Sequence, residues 1–143
     1  MTHTIDLWIR DRARITPDRV AIDYDGELWT YRQIDERSDE LAAGLERGEV
    51  VSTLTGNSPE HVALFFACAK AGAILHPISW RLAPAEIAYQ LDDAGSSRFV
   101  VEDAYRELGD AALALAKPLV PGTRRVPGTG SCASASAASP SAG

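Results

Sequence analysis

The sequence predicts an α/β fold: parallel strands joined by helical crossovers, after an initial helix and a β-hairpin. Three observations predict it. From Thr30 onward, helix-like and strand-like apolar patterns alternate. The last three short apolar strands, opening at Val50, Ile74 and Arg98, recur about every 24 residues. Ahead of them, Asp25-Gly26 separates two β-prone runs, a strong hairpin signal.

Each element has its own local reason. Thr4 is placed to cap a helix whose Ile5, Trp8, Ile9 and Ala13 share one face, and Pro17 marks its end. Val20–Tyr24 and Glu27–Trp29 are the hairpin strands. Thr30 with Gln33 forms a capping-box pattern. The helix it opens buries Ile34, Ser38, Leu41 and Leu45, runs through Arg47 and stops at Gly48. Val50–Leu54 is a strand. Ser58 caps the next helix, with Pro59 at a position where its missing N–H costs nothing. That helix, Glu60–Ala71, is apolar on most sides, so it is expected deep in a core. Gly72 ends it. Ile74–Pro77 is a strand, and Pro84–Leu91 a helix with Ile87, Ala88 and Leu91 inward. Arg98–Val101 is the last strand and Tyr105–Ala116 the last helix.

Composition bounds the function. The chain has 143 residues, 45% of them hydrophobic, enough for one domain with a core. Its net charge of −6 leaves no basic surplus for phosphates, so nucleic acid is not an expected partner. The average hides a split. Residues 118–143 hold four of the eight prolines, four of the eleven glycines, and two arginines without an acid. That stretch is +2, which leaves −8 for residues 1–117. The chain therefore divides into an α/β portion, 1–117, and an expected disordered Pro/Gly/Ser/Ala-rich tail, 118–143. No signal peptide or transmembrane segment is recognised, and the cytoplasm is the expected location.

Most catalytic patterns are absent. There is no Gly-x-Gly-x-x-Gly after a strand and no Gly-x4-Gly-Lys-Ser/Thr. Ser58 reads as a helix cap rather than a nucleophile, and Cys68 as a small buried apolar residue. His3, His61 and His76 lack metal-ligand spacing, so no metal site is expected. His76 lies near the end of an apolar strand, where open α/β sheets gather ligands, and is a candidate pocket-lining residue beside the alternative of a packed histidine. Asp92-Asp93 and Glu102-Asp103 read as solvated carboxylates.

One stretch after another resembles a known family. The segments are Leu28-Trp29-Thr30-Tyr31-Arg32-Gln33-Ile34-Asp35, Gly56-Asn57-Ser58-Pro59-Glu60, Phe65-Phe66-Ala67-Cys68-Ala69-Lys70-Ala71-Gly72-Ala73, and Trp80-Arg81-Leu82 followed by Pro84, Glu86, Ile87, Tyr89, Leu91 and Asp93. Their order and spacing resemble the start of the AMP-forming acid–CoA ligases of the adenylate-forming superfamily, over about Ile5 to Ala116. The Ser79-Trp80-Arg81-Leu82 segment looks more like the acid–CoA ligase branch than the amino-acid-activating branch.

The resemblance implies ATP, Mg and CoA as cofactors of the intact family, and a small carboxylic acid as substrate. It makes Arg81 a candidate contact for a CoA phosphate, with Ser79 standing where the family segment has asparagine. A surface arginine paired with Glu86 is the plainer alternative. The link Arg47-Gly48-Glu49-Val50 is shorter than in the family, so strain or a shifted register is expected there. The phosphate-binding loop, the Tyr-Gly-x-Thr-Glu segment, the ribose-binding aspartate and the catalytic lysine of the family have no counterpart here. The chain thus reads as an N-terminal ligase fragment, inactive by itself, that gives way at Pro118 to an unrelated tail, for which a shifted reading frame is one origin. Two alternatives stand beside it: a non-enzymatic interaction module that associates through the apolar helix 58–71, and a truncated product without function.

Overall fold

The computed structural model describes residues 4–117; the 118–143 tail, with Cys132, lies outside the described residues. Thr4 does precede a helix, α1 (Ile5–Ile15), but its side chain makes no capping bond. The Thr4 carbonyl instead accepts the Leu7 N–H at 3.1 Å. Of the expected stripe only Ile9 is buried. The hairpin forms as read, β1 (Val20–Tyr24) antiparallel to β2 (Glu27–Thr30). Asp25 and Gly26 take φ of 50° and 87°, the left-handed pair that a tight two-residue turn needs.

The capping box also forms. Thr30 Oγ1 accepts the Gln33 N–H at 3.3 Å, and Gln33 Oε1 accepts the Thr30 N–H at 2.8 Å. The helix it starts, α2 (Tyr31–Ala42), ends well before Gly48. Extending it would put Gly44 in a helix interior, at a cost of about 1 kcal/mol relative to alanine. Stopping early leaves residues 43–49 as connection, so the expected strain does not arise. Gly48 is a link rather than a helix stop: at φ 81° it donates its N–H to the Gly72 carbonyl at 2.8 Å.

Three parallel strands follow, in spatial order β4 (Ile74–Pro77), β3 (Val50–Leu54), β5 (Arg98–Val101). Val50 faces Ile74 and Val51 faces Arg98 across the ladders. Ser58 caps α3 (Pro59–Ala71) by accepting the His61 N–H at 3.3 Å, and Gly72 closes it with φ 74°. α4 (Pro84–Asp93) and α5 (Arg106–Leu115) complete the order, with a 3-10 turn at Asp103–Tyr105. Glu86 Oε2 closes the first turn of α4 on the Ala83 N–H at 2.8 Å.

The core has three parts. Leu54, Ile87, Leu91, Phe99 and Ala112 gather α4, α5 and the sheet. Val51, Leu64 and Cys68 join α3 to the sheet, and Ile9, Trp29 and Ile34 join α1, the hairpin and α2. α3 is therefore not buried all round. Ala63, Leu64, Ala67 and Cys68 face inward, while Phe65 is 41% exposed. No helix among the described residues is long and apolar enough to cross a membrane.

Candidate functional site

Parallel strands all end on one side, so the loops after β3, β4 and β5 meet along one edge. Open α/β sheets bind ligands at this edge. Backbone bonds extend the ladders into the loops: the Ile78 N–H donates to Thr53 at 2.8 Å, and the Glu102 N–H to Leu54 at 3.1 Å. Glu102 then reaches across. Its Oε2 accepts the Gly56 N–H at 2.6 Å, a charge-assisted bond that ties the loop after β5 to the loop after β3. The Glu102-Asp103 pair is thus not simply solvated. Asp92 is engaged too, accepting the Lys117 N–H at 3.1 Å.

Aromatic rings add a second tie. Trp80, after β4, stacks on Tyr105, after β5, with centroids 5.6 Å apart and planes at 12°. The Arg81 guanidinium carbon lies 5.1 Å from the Trp80 ring centroid, a cation–π distance. Arg81 makes no ion pair with Glu86 among the described residues; its backbone N–H donates to Ser79 Oγ at 3.3 Å. Its guanidinium is exposed and has five donors to offer a phosphate or carboxylate.

His61, in the first turn of α3, joins the same edge. Its Nδ1 lies 2.9 Å from Thr55 Oγ1. Burial lowers its pKa below the usual 6.5, and the nearby Glu102 charge opposes that shift in part. The unfolded chain therefore binds this proton more readily than the folded one. Stability from the neutral ring is complete above about pH 6.5 and is lost as the pH falls below it. Urea midpoints at pH 7.5 and 5.5 are expected to differ more for the native chain than for His61→Gln; equal differences would remove His61 as the cause.

His76 sits elsewhere. Its Nδ1 is 2.8 Å from Ser52 Oγ, and Ser52 is in turn bonded to Ser96 Oγ, in the connection before β5. The histidine bonds to a side chain rather than to backbone. Cys68 is buried against β3. Burial, with a smaller contribution from Glu49, pushes its thiol up to about 11, so it carries no thiolate at neutral pH. No group of three or more His, Cys, Asp or Glu residues able to hold a metal ion occurs among the described residues.

A separate apolar groove of about 540 Å³ opens between α1, β1, the start of α2 and α3. Ile9, Ile22, Tyr31, Ile34, Val62 and Phe66 line it.

Resemblance alone singles out Arg81, and it reveals neither the stack beneath it nor the Glu102–Gly56 tie. The available signal was position: Glu102 directly follows an apolar strand, and Gly56 follows the neighbouring one. Lys70 was also passed over. A lysine on the apolar stretch Val62–Ala71 is a cue for a buried partner.

Comparison with known proteins gives a consistent picture. A family model described as "AMP-binding enzyme" matches residues 9–138. The match continues past Lys117, so the change in composition at Pro118 does not mark its end. A 2-succinylbenzoate–CoA ligase from Bacillus pumilus is 35% identical over 103 residues, which cover 68% of this chain and 21% of that protein. The crystal structure of the N-terminal domain of FACL13 from Mycobacterium tuberculosis superposes with a TM-score of 0.80 at 28% identity, covering 88% of this chain and 34% of that one. A fatty acyl CoA synthetase from the same organism gives 0.78 at 30% identity, over 92% and 27% of the two chains. The chain spans about a fifth of the length of the curated relatives it matches.

Proposed function

This chain belongs to the AMP-binding enzyme family, and from that premise we propose that it is the N-terminal α/β portion of an ATP-dependent acid–CoA ligase, unable to adenylate an acid by itself. The observation that carries the reading is the strand-end cluster. It presents one exposed guanidinium on an aromatic stack, a geometry suited to holding an anionic group.

In an intact ligase, ATP supplies the adenylyl group and CoA the accepting thiol. Arg81 fits a CoA phosphate, since it is exposed and its guanidinium is free of ion pairs among the described residues. The Glu102–Gly56 bond and the Trp80–Tyr105 stack would hold its loop in place. A triphosphate is a poorer fit. Phosphoryl and adenylyl transfer need several positioned charges around the phosphates. The described residues contain no Ser/Thr/Gly-rich loop with a lysine to provide them.

The acid is left open, because the relatives named above act on different acids. The test is exchange of labelled pyrophosphate into ATP by the purified chain across a panel of aliphatic and aromatic acids. No exchange above buffer is the expected outcome. Acid-dependent exchange would overturn the claim of inactivity.

An interaction module is the second reading. The observation favouring it is the groove beside α1. Helix α3, where the sequence placed the contact, contributes Val62 and Phe66 to that groove.

A further inference from the structure

Two side chains from different elements hold neighbouring residues of the loop after β3. His61, in the first turn of α3, has its Nδ1 2.9 Å from Thr55 Oγ1. Glu102, after β5, accepts the N–H of the next residue, Gly56, at 2.6 Å. An imidazole and a carboxylate thus flank one dipeptide, and the ring feels the Glu102 charge. Contacts continue from Glu102 to Arg81. The Glu102 carbonyl accepts the Tyr105 N–H at 2.8 Å, Tyr105 stacks on Trp80, and Arg81 lies over Trp80. The other charges around this edge have their own settings. Glu60, beside His61 on α3, pairs with Arg37 of α2 at 2.9 Å. Glu86, at the start of α4, is turned onto the Ala83 N–H. Asp103, next to Glu102, is exposed.

We propose that His61 regulates the Arg81 site: a proton on its ring offsets the Glu102 carboxylate and strengthens the binding of an anionic group at Arg81. The inference rests on the reading of Arg81 as an anion contact. Its basis is the field along the strand-end edge. With a neutral ring, Glu102 and Asp103 both oppose an anion that Arg81 attracts. A protonated ring adds one positive charge on the Glu102 side. The Thr55 bond permits this without rebuilding the loop, since a hydroxyl can accept from a ring N–H as well as donate to a ring nitrogen. Burial keeps the ring neutral at pH 7.5, so the gain comes as the pH falls below about 6.5. Linkage requires the converse: an anion held at Arg81 raises the pH at which His61 takes its proton.

The test uses the 143-residue chain and inorganic sulfate, which stays divalent from pH 7.5 to pH 5.0. Chloride holds the ionic strength constant, and the NMR signal of the Arg81 guanidinium follows binding. Sulfate is expected to bind about threefold more tightly at pH 5.0 than at pH 7.5, the scale of one partly screened unit charge. His61→Gln is uncharged and can still bond Thr55, and it should lose most of that difference. Glu102→Gln keeps an acceptor for Gly56, and at pH 7.5 it should bind about as tightly as the native chain does at pH 5.0. Added sulfate should raise the titration midpoint of His61 in the native chain and leave it unchanged in Arg81→Ala. No binding at either pH, or binding that Arg81→Ala leaves intact, overturns the Arg81 reading and this inference together. Binding that needs Arg81 but is equal at both pH values, or that keeps its full pH ratio in His61→Gln, overturns this inference alone. So does a His61 midpoint that sulfate does not move in the native chain, a result that holds even where the variants fail to fold.

Discussion

Replacing Lys70 with methionine is expected to cost about 3–5 kcal/mol of stability, the usual cost of stripping one partner from a buried ion pair. The Lys70 side chain is only 5% exposed, and its ammonium group touches four oxygens of α2. They are Asp35 Oδ1 at 2.6 Å, Asp39 Oδ1 at 2.7 Å, Ser38 Oγ at 2.8 Å and the Asp35 carbonyl at 3.2 Å. Methionine keeps the volume and the helix propensity of lysine, so the loss isolates the charge. It leaves the largely buried Asp35 carboxylate without its cation. Asp39→Asn provides the contrast. Asp39 is half exposed, so its pair should contribute less than about 1 kcal/mol. Urea unfolding of both variants checks the order, and equal losses would show that the buried geometry is not what matters. A second tie between the same helices, Arg37 Nε to Glu60 Oε1 at 2.9 Å, stays intact in both variants.

Phe99→Ala is expected to cost about 3–5 kcal/mol through a different route, lost apolar burial plus a residual cavity. Phe99 is fully buried and is the largest such side chain in the molecule's described part. It packs among Leu54, Ile87, Leu91 and Ala112, so α4 and α5 lose a shared contact when it is truncated. Phe99→Leu should recover most of the loss, because it restores most of the volume. Thermal melts of the two variants check this. A Leu variant as unstable as the Ala variant would argue for a specific aromatic role instead.

Both effects bear on what could be read from the sequence. The sheet was legible because each parallel strand is a short apolar run between helices, and its bounds follow from that pattern. The hairpin and the Thr30 and Ser58 caps were legible because they depend on residues three or fewer positions apart. The early end of α2 was not. Leu45 continues the helical spacing, and the competing cost of Gly44 is only about 1 kcal/mol, too small to see against that pattern. Burial of α3 was overstated for a related reason. An all-round apolar helix says that partners are required, but not whether this stretch of chain supplies all of them. At the candidate site, Arg81 could be singled out on its resemblance. The Glu102–Gly56 bond joins residues 46 positions apart, and no local pattern encodes it.

The central place of β3 has a consequence for the order of assembly. Ser52 pairs with His76 and with Phe99, so the two ladders close loops of about 24 and about 47 residues. Loop-closure entropy rises with the logarithm of loop length, so the longer closure costs about 0.6 kcal/mol more if β4 has not yet docked. β3 and β4 are thus favoured to meet first, and β5 joins a surface already formed. On a ribosome the same sequence of events is enforced by emergence, since β3 and β4 leave the exit tunnel before β5. Thermodynamic preference and vectorial synthesis point the same way, and a nascent chain cut off before Arg98 would already hold the first of the two ladders.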